Sequence, residues 1–303
     1  MGETSIMGET SENRAILDLS FPFCDSNCVI CWRSCFHGLD TALYHRYLKA
    51  LIGEIEASAP DYTDLTIEAI RLGSGMASLI DSDDLAVLFR VLRRVFVLKN
   101  PQILMEFSPF GVNGDKQTIL RRIGISFYDL EVITLDRHEY LRYGCHDANE
   151  VLLRDLPMLH SRELQNTGVT ILINERKTSE VSLRRTLAAL GRLPLQHVRL
   201  VPCPDGRAGD TEKLASDTAA ARNILLPLGF HEYLPGCYSR AGLVDRFAAL
   251  DATGTTRVAF GLGAASYVDG IVSHNTGNLE LYLSSSSDYR AILAAAHPHV
   301  LDS

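Results

Sequence analysis

The chain has 303 residues, 46% hydrophobic and 22% charged, a composition with ample material for a core that excludes disorder and collagen-like repeats. Its 29 Lys and Arg against 37 Asp and Glu give a net charge of −8, which offers no broad basic face for a phosphate backbone, so nucleic acid is not an expected partner. No apolar run approaches the roughly 18 residues of a membrane span, and the opening MGETSIMGETSENR lacks the apolar core of a signal peptide, so a cytoplasmic protein without membrane contact is expected.

Residues 1–14, with their repeated MGETS, read as a flexible leader, and 15–303 as a single domain with a core over 15–228 and a C-terminal extension over 229–303. Ala15 to Leu19 reads as a strand, followed by a helix from Asp40 to Ala57. Leu65 to Leu72 is a strand ending in the Gly-rich LGSGMAS, and Asp81 to Val97 carries apolar residues at helical spacing. Next come a strand at Gln102 to Phe107, a helix at Gly114 to Ile123, a strand at Leu130 to Leu135 and a largely helical stretch from Arg137 to Leu159. Gly168 to Ile173 is a strand, Glu180 to Leu190 a helix, His197 to Val201 a strand and Asp210 to Leu228 a helix. About six consecutive strand–helix units with mostly short connections predict an α/β fold with a parallel sheet. Several strands are nearly continuous apolar runs, as burial on both faces requires. Beyond Leu228 the rhythm breaks into Gly-rich loops, a strand at Arg257 to Phe260 and a helix from Gly277 to Ala296, which reads as a small appended layer, with a frayed end from His297.

Four of the seven cysteines, Cys24, Cys28, Cys31 and Cys35, fall within twelve residues just after the first strand. In a reducing compartment such a cluster indicates a metal or redox site rather than a disulfide framework. Loops at the carboxyl ends of parallel strands are where such folds place chemistry. The C-x3-C-x2-C spacing of Cys24, Cys28 and Cys31 provides three thiolates, enough for three irons of a [4Fe–4S] cube with the fourth left open to a small ligand. A structural zinc site using all four cysteines is the competing reading, although zinc ligands more usually come as two separated pairs. Cys145, Cys203 and Cys237 are isolated and read as buried structural thiols.

The cysteine spacing and its place resemble the radical S-adenosylmethionine (SAM) enzymes. The F-P-F-C start, the Gly-rich turn after the second strand, the Glu closing the third, and a late G-L-G-A-A-S followed by N-x-x-x-L-x-x-Y-L narrow the resemblance to the oxygen-independent coproporphyrinogen III oxidase-like branch, over Ala15 to Tyr289. The resemblance implies a partial (β/α)6 barrel and three cluster ligands, Cys24, Cys28 and Cys31. It also implies reductive cleavage of SAM to a 5′-deoxyadenosyl radical, in which the cofactor carries the chemistry and the protein positions it. Cys35 is not expected among the ligands. Gly73, Ser74 and Gly75 fall on a G-G-G turn whose backbone approaches the SAM amino group, and Glu106 falls on a glutamate near the methionyl group. Gly261, Gly263, Ala264 and Ser266 fall on a late loop near the substrate or a second SAM, with Asn275, Leu279 and Tyr282 beyond it. Trp32 reads either as a cover for the cluster or adenine or as a core residue.

Departures from the branch are as informative. Tyr and His before its Pro-Phe-Cys are replaced by Asp18 and Ser20, and Trp32 and Arg33 follow the third cysteine. A ribose-binding Gln is replaced near Ile133 or Thr134, a ribose-binding Asp near Thr170, and a G-R-x-H stretch becomes Gly144-Cys145-His146. Arg142 is the residue expected to supply the missing positive charge. The chain ends soon after the Tyr282 helix, without the further domain of coproporphyrinogen dehydrogenases, so porphyrinogen decarboxylation is the less favoured activity. A tailoring enzyme acting on a small biosynthetic intermediate is expected, by methyl or methylene transfer with a second SAM, and with an electron donor such as flavodoxin or ferredoxin. The alternative is a haem-binding chaperone, with His37, His45 and His146 as axial ligands.

Overall fold

The computed structural model describes residues 13–25, 35–38, 40–107, 114–143, 166–176, 178–203, 208–284 and 293–294. Six strands follow one another across the sheet in chain order: β1 (Arg14–Ser20), β4 (Thr66–Gly73), β5 (Val97–Glu106), β6 (Phe127–Val132), β7 (Thr167–Ile173) and β8 (His197–Pro202). Every neighbouring pair among them is parallel. Between β1 and β4 lie two short strands, β2 (Phe23–Cys24) and β3 (Phe36–His37), which pair with each other in parallel.

Helices cover the outer face. They are α1 (Thr41–Ser58), α2 (Ser82–Val95), α3 (Gly114–Ile123), α4 (Arg137–Arg142), α5 (Glu180–Leu190) and α6 (Thr211–Leu225). Their starts are set by side-chain caps: Asp40, Asp81, Ser179 and Asp210 accept hydrogen bonds from Leu43, Asp83, Ser182 and Lys213 amides. In α2 the buried Leu85, Leu88, Phe89 and Leu92 form one stripe against the sheet, with charged residues opposite. The main core runs between helices and sheet, and takes Leu17 and Leu19 of β1, Ile70 and Leu72 of β4 and Ile103 and Met105 of β5. Alternate residues of the same strands therefore face the barrel interior.

The segment after Leu228 joins the same sheet at both of its ends. β9 (His231–Leu234) and β10 (Cys237–Ser239) add antiparallel strands beyond β8, whereas β11 (Thr256–Phe260) lies parallel beside β1. β12 (Ala265–Val268), β13 (Ile271–Asn275) and β14 (Leu293–Ala294) extend that edge, giving a sheet of 12 strands among the described residues. A short helix, α7 (Arg246–Asp251), closes the amino-terminal end of the barrel, with Phe247 packed on Ile16 and Ala69. Gln102 fixes it, donating to Val244 O at 2.9 Å and accepting from Arg246 N at 2.8 Å.

Several boundaries differ from expectation. β5 begins at Val97 rather than Gln102, because Val97 and Leu98 already pair with Thr66 and Ile67 before a bulge and Asn100 at φ 47° absorbs the irregularity. β6 is Phe127–Val132, not Leu130 to Leu135: within the run FYDLEVITL, pairing with β5 selects the earlier residues, and Thr134 already accepts from Asp136 N at 3.0 Å in the following turn. The last helix among the described residues, α8, is Leu279–Ser284, and the expected helix cannot run on to Ala296, since Leu293 and Ala294 pair with β13. Arg14 belongs to β1 rather than to a leader and bonds Glu68 through two nitrogens at 2.6 Å. Most of the helix expected over Arg137 to Leu159 lies outside the described residues, as do residues 1–12.

Candidate active site

The carboxyl ends of β1 and β4 are stitched together. Ser20 pairs with Gly73, Phe21 N donates to Gly73 O at 2.7 Å, and Met76 N donates to Phe23 O at 2.7 Å. A Cβ on Gly75 would lie 2.3 Å from Phe21 O and 2.6 Å from Phe23 O, so only glycine lets the two loops meet. Between the glycines Ser74 is held at φ 69°, a conformation costly for a residue with a side chain. Cys24 ends β2 as a buried thiol, three residues after Phe21. Cys35 is held from the other side, its Sγ 3.4 Å from Ser74 O, to which it donates. Cys28, Cys31 and Trp32 lie outside the described residues. The turn predicted to meet SAM and the first predicted cluster ligand are thus one backbone-bonded unit.

Glu106 joins this unit from β5. It is only 8% exposed, and a Cβ on Gly73 would fall 2.7 Å from its carboxylate, so the absent side chain gives Glu106 its place over the turn. Further into the barrel the inner face is polar. Arg71 makes a two-pronged bond to its register partner Asp18 at 2.9 and 2.5 Å and stacks 4.4 Å over the Phe247 ring. Burial opposes the Arg71 charge, and the adjoining Asp18 more than offsets it. Asp129, the register partner of Glu106, accepts from Thr170 Oγ1 at 2.6 Å. Burial pushes its carboxyl up to about 7, with Glu106 adding to the rise and Arg199 opposing it. Arg71, Asp129 and Arg199 were not singled out from the sequence, although each is a charge at an alternate position of a mostly apolar strand.

The late loop is organised by a residue that carried no sequence signal. Glu54 of α1, 2% exposed, accepts from Tyr282 OH at 2.6 Å, Asn275 Nδ2 at 2.6 Å and Gly261 N at 2.9 Å. Tyr47 OH donates to Ser20 O at 2.7 Å and accepts from Leu262 N at 2.9 Å. Gly261, at φ 107°, has no room for a side chain, because a Cβ would meet Ser20 O and Tyr47 Oη at 2.7 Å. Gly263, at φ 66°, opens instead onto free space beside the buried Ala264. Gly261, Asn275 and Tyr282 are therefore brought together by Glu54, and with Tyr47 they secure the loop to the end of β1.

Other predicted positions are dispersed. Arg142 is exposed on α4, its guanidinium 6.0 Å from the Tyr143 ring centre. Ile133 packs with Tyr143, Leu172, Val201 and Cys203 in a small apolar cluster. Thr134 is buried with Ser182 Oγ at 3.0 Å. His37 is exposed beside Cys24 across the β2–β3 pair, and His45 is exposed and bonded to Asp84 at 3.2 Å. Cys145 and His146 lie outside the described residues.

No protein-family model matches the chain, and no curated protein matches it. Solved structures do. Coproporphyrinogen III oxidase (HemN) from Escherichia coli, a radical SAM enzyme, superposes with a TM-score of 0.78 at 16% identity, over 94% of this chain and 72% of that one. Streptococcus suis SuiB bound to its precursor peptide SuiA gives 0.50 at 8% identity, over 82% of this chain and 57% of that one. The enzyme anSMEcpe, with bound AdoMet and the Cp18Cys peptide, gives 0.50 at 8% identity, over 71% and 60%. With its strands in chain order and its cysteine loop after the first, the chain has the partial-barrel fold of the radical SAM enzymes, in the form seen in HemN.

Proposed function

We propose that the chain is a radical SAM enzyme in which Cys24, Cys28 and Cys31 hold a [4Fe–4S] cluster, with SAM over the turn at Gly73, Ser74 and Gly75 and beside Glu106. The observation that carries this reading is the buried Cys24, the first cysteine of a C-x3-C-x2-C loop, joined through Phe21 and Phe23 to the β4 turn of a HemN-like barrel. The donor set fits the group. Thiolates are the ordinary ligands of iron–sulfur clusters, and the Glu106 carboxylate, reaching over a residue without a side chain, suits an ammonium. Bound there, cluster and SAM together supply a 5′-deoxyadenosyl radical for hydrogen abstraction. The protein's part is placement: Gly75 locks the cysteine loop to the turn, and Glu54 and Tyr47 lock the late loop to β1.

Cys35, already engaged with Ser74 O, stands outside the ligand set. The substrate is read as a small biosynthetic intermediate, the reaction as methyl or methylene transfer, and the electron source as a flavodoxin or ferredoxin. The order of motifs supports this subtype, and the open space at Gly263, rather than the filled one at Gly261, offers room for a second SAM. Anaerobic reconstitution tests the ligand set. About four irons per chain are expected, lost in Cys24→Ala, Cys28→Ala or Cys31→Ala and kept in Cys35→Ala. Equal dependence on all four cysteines, with zinc retained, would contradict it.

A further inference from the structure

The polar floor of the barrel contains a group whose hydrogen bonding the protein leaves incomplete. Asp129 is 7% exposed, and while its Oδ2 accepts from Thr170, its Oδ1 is buried without a hydrogen-bond partner. Buried carboxylate oxygens are rarely left so, because the desolvation cost is then uncompensated. The same face carries Arg199, the register partner of Thr170, whose guanidinium forms no hydrogen bond or ion pair with a described residue. Thr170 thus stands between an acceptor on β6 and a five-donor cation on β8. Of the other charges here, Asp18 and Arg71 are bonded to each other, Asp245 caps α7 by accepting from Ala248 N at 3.0 Å, and Glu131, the register partner of Thr170, is half-buried and already engaged. Arg199, the one cation of this interior outside a pair among the described residues, lies close enough to Asp129 and Asp245 to oppose the rise that burial causes in both carboxyls.

We propose that Asp129 and Arg199 are the substrate-recognising end of the barrel, and that they take a small molecule carrying both an amine and a carboxylate: an amino acid or a simple derivative of one. An ammonium satisfies Asp129 Oδ1, and a carboxylate engages the Arg199 fork. Phe247 and α7 close the floor beneath them, so the ligand enters from the end where Gly73 and Glu106 lie. The assignment rests on the radical SAM reading only in calling this ligand the substrate.

The test is calorimetric titration of reconstituted, SAM-saturated protein with the common free L-amino acids, and with the N-acetyl and α-amide derivatives of any that bind. A free amino acid should bind, and each derivative should lose about tenfold or more in affinity. Asp129→Asn should abolish the N-acetyl penalty, and Arg199→Met the amide penalty, with Arg199→Lys intermediate. SAM affinity should stay within about twofold in all three variants. Absence of amino-acid binding, or binding that none of the variants alters, would overturn the proposal. So would an equal loss of SAM affinity in Asp129→Asn, which would give the open oxygen to SAM. Amino-acid binding by a protein that assembles no cluster would overturn the radical SAM reading and leave this site standing.

Discussion

At the scale of single residues, Glu106 and Asp129 are adjacent carboxylates with opposite demands. Glu106 is placed by what Gly73 lacks, and its proposed role is to bind a cationic group of SAM. Glu106→Gln should remove a charge-assisted hydrogen bond worth about 1.5–3 kcal/mol, raising the SAM dissociation constant about tenfold or more, at normal iron content. Unchanged SAM affinity by titration would make Glu106 a structural residue only. Burial raises the folded Asp129 carboxyl to about 7 from the ordinary 3.8, so the folded protein keeps a proton that the unfolded chain has released. Stability is therefore lost as pH rises from about 4 to about 7, with a slope of at most about 1.4 kcal/mol per unit. Asp129→Asn should gain on the wild type in denaturant midpoint between pH 5.5 and 7.5, whereas a pH-independent difference would show that this carboxyl does not titrate there. Little of this was legible in the sequence. Glu106 was visible through the order of motifs, but the strand expected over Leu130 to Leu135 left Asp129 outside it, and only the cross-strand register brings Asp129 to Glu106 and Thr170.

At the scale of elements, the loops after β1, β4 and β11 depend on contacts between segments far apart in sequence. Gly75→Ala would drive a Cβ into two backbone carbonyls that cannot move without disrupting the cysteine loop. A loss of at least about 2 kcal/mol and of iron retention is expected, and retention of full iron by the folded variant would refute the proposed locking. Glu54→Ala would strand the Tyr282 hydroxyl, the Asn275 amide and the Gly261 N–H, and should cost roughly 3–5 kcal/mol in denaturant stability. A cost under about 1 kcal/mol would show that water replaces the carboxylate. Local chemistry made some elements readable in full: Gly114–Ile123 and Glu180–Leu190 match their expected limits, the latter because Ser179 caps it. The start of β5 and the limits of β6 were not readable, since they depend on a bulge and on which residues of an unbroken apolar run meet the next strand. Glu54 was hidden for the same reason: on a helix with polar neighbours nothing marks it as buried until Asn275 and Tyr282 arrive from more than two hundred residues away.

For the whole molecule, alternating strands and helices were enough to foresee a parallel sheet with the cysteine loop at the carboxyl end of its first strand. They did not reveal that the last quarter of the chain supplies strands to both edges, because β11 lies beside β1 only through long-range pairing. That arrangement draws the cysteine loop, the β4 turn, Glu106 and the late loop to one end of the barrel, above a floor that carries Asp129 and Arg199. The most direct test of the central claim is anaerobic incubation of reconstituted protein with SAM and dithionite, followed by mass spectrometry. Release of 5′-deoxyadenosine and methionine by the wild type, and not by Cys24→Ala, is the predicted result; intact SAM in the presence of a fully assembled, reduced cluster would contradict it.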